Sequence, residues 1–274
     1  MQETGNNHTL PRLKNRLVIR VSRSSMSFSV ADPQAEAQIV YEPYAVKSGV
    51  SMAANLREAF GESALLTEGY QRARLLIDSP VLLHPSEEFN ETQSEALYQY
   101  TFKGHEGELV LNKPMAEQDV VASFGVNRDL KLVLDDHFAD LRITPVSLPA
   151  WNFLYRRSFT GPWKKLFGYF HDRKLDIVCF QKNRFKFANT YDTESARDAV
   201  YFLLYVWKQL GLDAERDELH LAGNTPQSEW LTGSLKKYVQ KVFIVNPSAE
   251  FNRAPITQIK ELPFDLLTTF VSKS

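Results

Sequence analysis

At 274 residues, with 43% hydrophobic and 24% charged side chains, the chain has the composition of a globular protein long enough for two lobes, not of a fibrous or disordered one. Lys and Arg total 32 against 33 Asp and Glu, which excludes the basic excess of a dedicated nucleic-acid binder. No uninterrupted apolar run approaches the roughly 20 residues that cross a bilayer, and no charged-then-apolar leader is present, so the expectation is a cytoplasmic protein without membrane insertion.

In chain order, Met1–Arg12 is polar and contains Gly5, Asn6, Asn7 and Pro11, which predicts a disordered terminus. Leu17–Val21 and Met26–Val30, apolar runs around Ser22-Arg23-Ser24-Ser25, predict a strand hairpin, with Gln38–Tyr41 as a third strand. Ser51–Phe60 predicts a helix capped by Ser51 and stopped at Gly61. Arg74–Asp78 follows as a buried strand, which Val81–His84 continues or pairs with. Ser86–Leu97 predicts a helix whose packing face is poorly defined by its many polar residues. Leu109–Leu111, Val120–Val126 and Leu141–Val146 predict strands, Leu130–His137 a short helix, and Ser147–Arg157 the helix that leads towards a second lobe.

Leu166–His171 and Leu175–Phe180 predict another hairpin, with Phe185–Thr190 as its third strand. Cys179, the only cysteine, sits in this apolar hairpin, so no internal disulfide exists and a buried, inert thiol is expected. Asp192 or Thr193 caps a long helix ending at Gly211, in which Ala196, Ala199, Val200, Leu203, Val206, Trp207 and Leu210 recur at helical spacing. Glu218–Ala222 predicts a strand, Ser228–Gln240 a helix, and Val242–Val245 the last strand.

One order of elements, a hairpin, a third strand, a helix and a further strand, therefore starts at Leu17 and again at Leu166. Strands separated by helices imply crossover connections, hence mainly parallel pairing with an antiparallel hairpin at one side: an α/β fold of mixed sheets flanked by helices. The expected lobes are residues 1–157 and 158–274, with segment 260–274 packing back on the first. Residues 1–150 hold 14 basic and 20 acidic side chains and the remainder 18 and 13, so the second lobe is mildly basic.

The duplicated order resembles the actin-like ATPase fold, built from two ribonuclease H-like lobes, that actin, sugar kinases, Hsp70 chaperones and bacterial pilus-assembly and secretion-platform proteins share. It is more specifically similar to an uncharacterised Bacteroidetes family with that fold. In ATP-binding members each hairpin carries Asp, then Gly two residues on, then Ser or Thr. Glycine lets backbone amides approach phosphate oxygens, and Asp organises Mg²⁺ and water. In the matching frame here, Arg20 takes the Asp position and Ser22 the Gly position of the first hairpin, with Ser24 and Ser25 following. Tyr169 and His171 take the corresponding places in the second. The paired glycines of the family's adenosine motif become Gly223-Asn224 after the apolar strand Leu219–Ala222.

The resemblance thus implies an actin-like protein with degenerate nucleotide motifs, a pseudo-ATPase with no catalytic residue, no metal site and no cofactor. If a nucleotide binds at all, Ser22, Ser24, Ser25, Asp172, Gly223 and Asn224 are the residues placed to meet it. Arg20, Arg23, Arg173 and Lys174 form a second candidate, cations near the two turns for a phosphate or acidic peptide, set against their reading as separate solvated residues. Asp135-Asp136-His137 offers metal-ligand chemistry, yet adjacent helical residues diverge, so a solvated helix end is expected. Trp151–Arg157 with Phe159 and Trp163-Lys164-Lys165 interleaves aromatics and cations, which suits RNA stacking, a protein hot spot or simple packing at a lobe junction. Three functions stay open: a non-catalytic scaffold or regulatory module binding a protein partner, a divergent protein binding ATP and Mg²⁺, and an RNA-associated factor.

Overall fold

The computed structural model describes residues 15–182 and 184–271. The terminus expected to be disordered, Met1–Arg12, lies outside the described residues. The chain divides into two compact units, one running through Lys113 and resuming at Val121–Val146, the other comprising Pro114–Val120 and the chain from Ser147 onward.

In the first unit, β1 (Leu17–Val21), β2 (Met26–Ala31) and β3 (Ile39–Tyr44) form an antiparallel meander, and β4 (Arg72–Ile77) and β8 (Asp140–Pro145) extend it in parallel, giving the order β3-β2-β1-β4-β8. The strands alternate. Leu17, Ile19, Val21, Phe28, Val30, Ala73, Leu75 and Ile77 enter one hydrophobic core, to which α1 (Met52–Glu62) and α4 (Arg128–His137) contribute Leu56, Ala59, Leu130, Val133 and Leu134. Ser51 caps α1 as expected, its side chain accepting from the Ala54 amide. Gly61 does not stop the helix; the Ser63 amide closes it on Ala59, and the Ser63 hydroxyl then caps the short α2 (Ala64–Thr67).

Val81–His84 neither continues nor pairs with β4. It forms β5 (Val81–Pro85) in a separate sheet of order β5-β7-β6, with β6 (Glu108–Met115) and β7 (Val120–Asn127). The helix expected from Ser86 starts five residues later, as α3 (Glu91–Thr101), because a turn closes from Glu88 to Pro85 and Asn90 supplies the cap to Thr92.

The second unit repeats the first sheet's plan: β9 (Lys165–His171), β10 (Lys174–Gln181) and β11 (Arg184–Asp192) form the meander, and β12 (Glu218–Gly223) and β13 (Lys241–Ile244) add in parallel. α5 (Ser147–Ser158) belongs here and packs on β9 and β10. The long helix α6 (Ala196–Gln209) starts one turn later than Asp192, which still belongs to β11, while the Thr193 amide bonds Arg173. Ser195 caps α6 through a reciprocal box with Asp198. α7 (Ser228–Leu235) is shorter than expected, and beyond α8 (Pro247–Glu250) the last described element is α9 (Phe264–Val271), which packs against α5. Among the described residues no helix is long and apolar enough to cross a membrane.

Candidate functional site

The β1–β2 hairpin turns through Ser22-Arg23-Ser24-Ser25, and its hydroxyls serve the turn itself. The Ser22 amide donates to the Ser25 carbonyl at 2.9 Å, the Ser25 amide donates to Ser22 Oγ at 3.2 Å, and the two Oγ atoms lie 2.7 Å apart. Ser22 is buried, whereas Arg23, Ser24 and Ser25 are exposed. Arg20 is no turn residue: it is buried on β1, opposite Ser27 on one neighbouring strand and Leu76 on the other.

The β9–β10 hairpin is built differently. His171 pairs with Lys174, so only Asp172 and Arg173 form the turn, at φ of 42° and 62°. The tight turn is tied to the next strand's end, the Arg173 carbonyl accepting from the Thr193 amide at 2.9 Å. Behind it the side chains close on one another. Tyr169, fully buried, stacks on His171 with ring centroids 4.7 Å apart and donates from its hydroxyl to Asp265 Oδ2 at 2.9 Å. His171 Nδ1 lies 3.4 Å from Asp172 Oδ2. Its Nε2 lies 3.2 Å from Asp176 Oδ1 but off the hydrogen-bond direction, which makes this an ion-pair contact.

Burial disfavours a charged ring at His171, but the carboxylates of Asp176 and Asp172 outweigh it and raise the imidazole pKa to about 10. Asp176 in turn accepts from Trp151 Nε1 at 2.9 Å and from the Thr190 hydroxyl at 2.8 Å. The cluster thereby ties β9 and β10 to α5, to β11 and, through Asp265, to α9. Its chemistry is that of a buried polar network, with a protonated imidazole held between acids and its Nε2 in ion-pair contact but not hydrogen-bonded.

Gly223 and Asn224 sit at the end of β12 against this cluster. Gly223 has φ 83°, and a Cβ there would lie 2.1 Å from the Phe170 carbonyl oxygen and 3.0 Å from the Tyr169 ring; the Asn224 amide donates to that same carbonyl at 3.0 Å. The glycine is thus required by close approach to β9. Of the six residues singled out from sequence, the structure joins Ser22 to Ser25, places Ser24 on the exposed tip of their turn, and gathers Asp172, Gly223 and Asn224 at one end of the second sheet.

The other candidates resolve into packing in part, Phe159 and Trp163 staying exposed. Asp135 pairs with Lys131 at 2.5 Å, and His137 stacks on Phe60 while its Nδ1 lies 2.7 Å from the Val133 carbonyl. No group of acids, histidines or cysteines among the described residues is arranged to hold a metal. Burial pushes the Cys179 thiol up to about 11, leaving it unreactive. Trp151, Leu154 and Tyr155 are buried, and Phe153 packs on Phe251 and Phe264. Sequence inspection missed Asp265 as a member of the cluster. Its signal was a single acid opening the otherwise uncharged run Phe264–Val271.

A family model described as Protein of unknown function (DUF3822) matches residues 5–242. No curated protein matches the chain. Among solved structures, a Bacteroides thetaiotaomicron protein with actin-like ATPase fold and unknown function is 30% identical, over 93% of this chain and 100% of that one, with a TM-score of 0.79. A PilM–PilN type IV pilus biogenesis complex is 11% identical, over 94% and 99%, with a TM-score of 0.52. The cytoplasmic domain of EpsL, an inner membrane component of the Vibrio cholerae type II secretion system, is 15% identical, over 76% and 82%, with a TM-score of 0.40. The fold is the actin-like ATPase fold, as its two repeated sheets indicate.

Proposed function

The chain belongs to the family described as Protein of unknown function (DUF3822), and we propose that it is a non-catalytic actin-like scaffold or regulatory module that binds a protein partner in the cytoplasm. The buried cluster of Tyr169, His171, Asp176 and Asp265 carries this reading. It fills the frame in which ATP-binding relatives present Asp and Gly to a phosphate, and replaces an open loop by side chains bonded to one another. The first hairpin supports the same reading, since Ser22 and Ser25 spend their hydroxyls on their own turn. A PilM–PilN complex of the same fold supports a role exerted through a bound protein.

Isolation of the tagged full chain from its native cells, with and without Mg-ATP in every buffer, tests the proposal. The expected result is a partner protein retained at fixed stoichiometry under both conditions. A partner whose retention follows nucleotide, with phosphate released in step, overturns it.

A further inference from the structure

We propose that the polar face of the first sheet is an oxyanion site, in which Arg74, Lys113, Arg142 and the Thr144 hydroxyl hold a phosphate or phosphomonoester group. Arg74 on β4 and Arg142 on β8 are register partners in a parallel pair, so both project from the face opposite the hydrophobic core with backbones about 5 Å apart. Lys113 reaches the same face from β6, its Nζ 2.7 Å from Thr144 Oγ1, two residues beyond Arg142. Two guanidinium groups, one ammonium and one hydroxyl therefore surround one patch, a donor set suited to a multiply charged tetrahedral anion.

Asp140, on the same strand as Arg142, is largely engaged elsewhere: it bonds Arg16 and accepts from Arg72 Nε at 3.1 Å, and makes only a long ion pair with Arg142, whose Nε lies 3.9 Å away. Arg16, also bonded to the Ala73 and Asp140 carbonyls, is likewise committed. Half-buried Lys113 is influenced by burial and then by Arg74 and Arg142, which together draw its pKa down to about 8. Arg74 feels burial and then Arg16 and Arg142. Cations partly withdrawn from water beside other cations are costly, and an anion between them relieves both penalties. Arg142, with 59% of its side chain exposed, leaves the patch open for entry.

Isothermal titration of the full chain with inorganic phosphate, and separately with glycerol 3-phosphate, tests the site; the tighter of the two identifies the source of the group. Saturable binding is expected, weakened roughly tenfold by Arg74→Gln and by Lys113→Met, as loss of a charge-assisted hydrogen bond requires. Arg142→Gln, at an exposed position that folding tolerates, is expected to weaken it about threefold. With sulfate, which does not titrate, affinity should fall as pH rises through about 8 and the Lys113 ammonium loses its proton, and Lys113→Arg should abolish that fall. Absence of saturable binding of either phosphate, or unchanged affinity in both Arg142→Gln and Arg74→Gln, overturns the proposal.

Discussion

The β1–β2 and β9–β10 turns hold equivalent places in two sheets of the same plan, since β1 and β9 each pair antiparallel with the next strand and parallel with a later one. The first turn spans four residues, three of them exposed, and is closed by its own serines. The second spans two residues over a buried network of Tyr169, His171, Asp176 and Asp265. A duplicated frame has thus diverged in two ways: one turn keeps small polar side chains that satisfy themselves, and the other has become a structural junction. The difference shows two ways of closing a turn in one frame: small polar side chains bonded to one another, or bulky and ionisable residues that fill the space behind with bonds of their own.

Among substitutions in the two turns and the network, the largest effect is expected at Asp176. Asp176→Ala removes a fully buried carboxylate and leaves protonated His171, Trp151 Nε1 and the Thr190 hydroxyl without it, at a cost of about 3–5 kcal/mol in urea unfolding. A loss below about 1 kcal/mol would make the second turn no more structural than the first. Tyr169→Phe should cost about 1–3 kcal/mol by stripping a hydrogen bond from buried Asp265, with amide exchange in α9 accelerating more than elsewhere in its unit.

Stability should also depend on pH through His171. Its pKa is raised on folding, from 6.5 to about 10, so its contribution is complete below pH 6.5 and is lost as pH rises towards 10. Unfolding midpoints measured across that interval should decline in the native chain and flatten in His171→Gln. A profile equally steep in both would remove the charged imidazole from the account. The smallest effects belong to the first turn. Ser25→Ala should cost roughly 0.5–1 kcal/mol, and Ser24→Ala, at the exposed tip, should stay within about 0.5 kcal/mol.

Much of the fold was legible because its strands are short apolar runs bounded by turn residues and α6 carries a helical stripe: Leu17–Val21, Leu166–His171 and the stripe from Ala196 to Trp207 recur in the structure, and Arg74–Asp78 recurs as β4, which ends one residue earlier. Caps were harder. Ser195 and Asn90 won over nearby polar residues because their side chains meet the right amides, a choice that turn geometry makes and composition does not. α9 escaped notice because its eight residues make little more than two turns, too short a window for a helical stripe to stand out. At the site, the substituted positions Arg20, Ser22, Tyr169 and His171 were visible in the hairpin frames. Their new partners were not, since Asp265 lies 96 residues from Tyr169 and Trp151 lies 25 from Asp176.

Whether the two turns hold a nucleotide is read by calorimetric titration of the purified full chain with Mg-ATP, with Ser24→Ala and Asp172→Asn variants alongside to locate any binding. No saturable nucleotide binding that responds to either substitution is expected. Micromolar binding weakened by Ser24→Ala or Asp172→Asn would show that the turns still form a nucleotide site and would contradict the account.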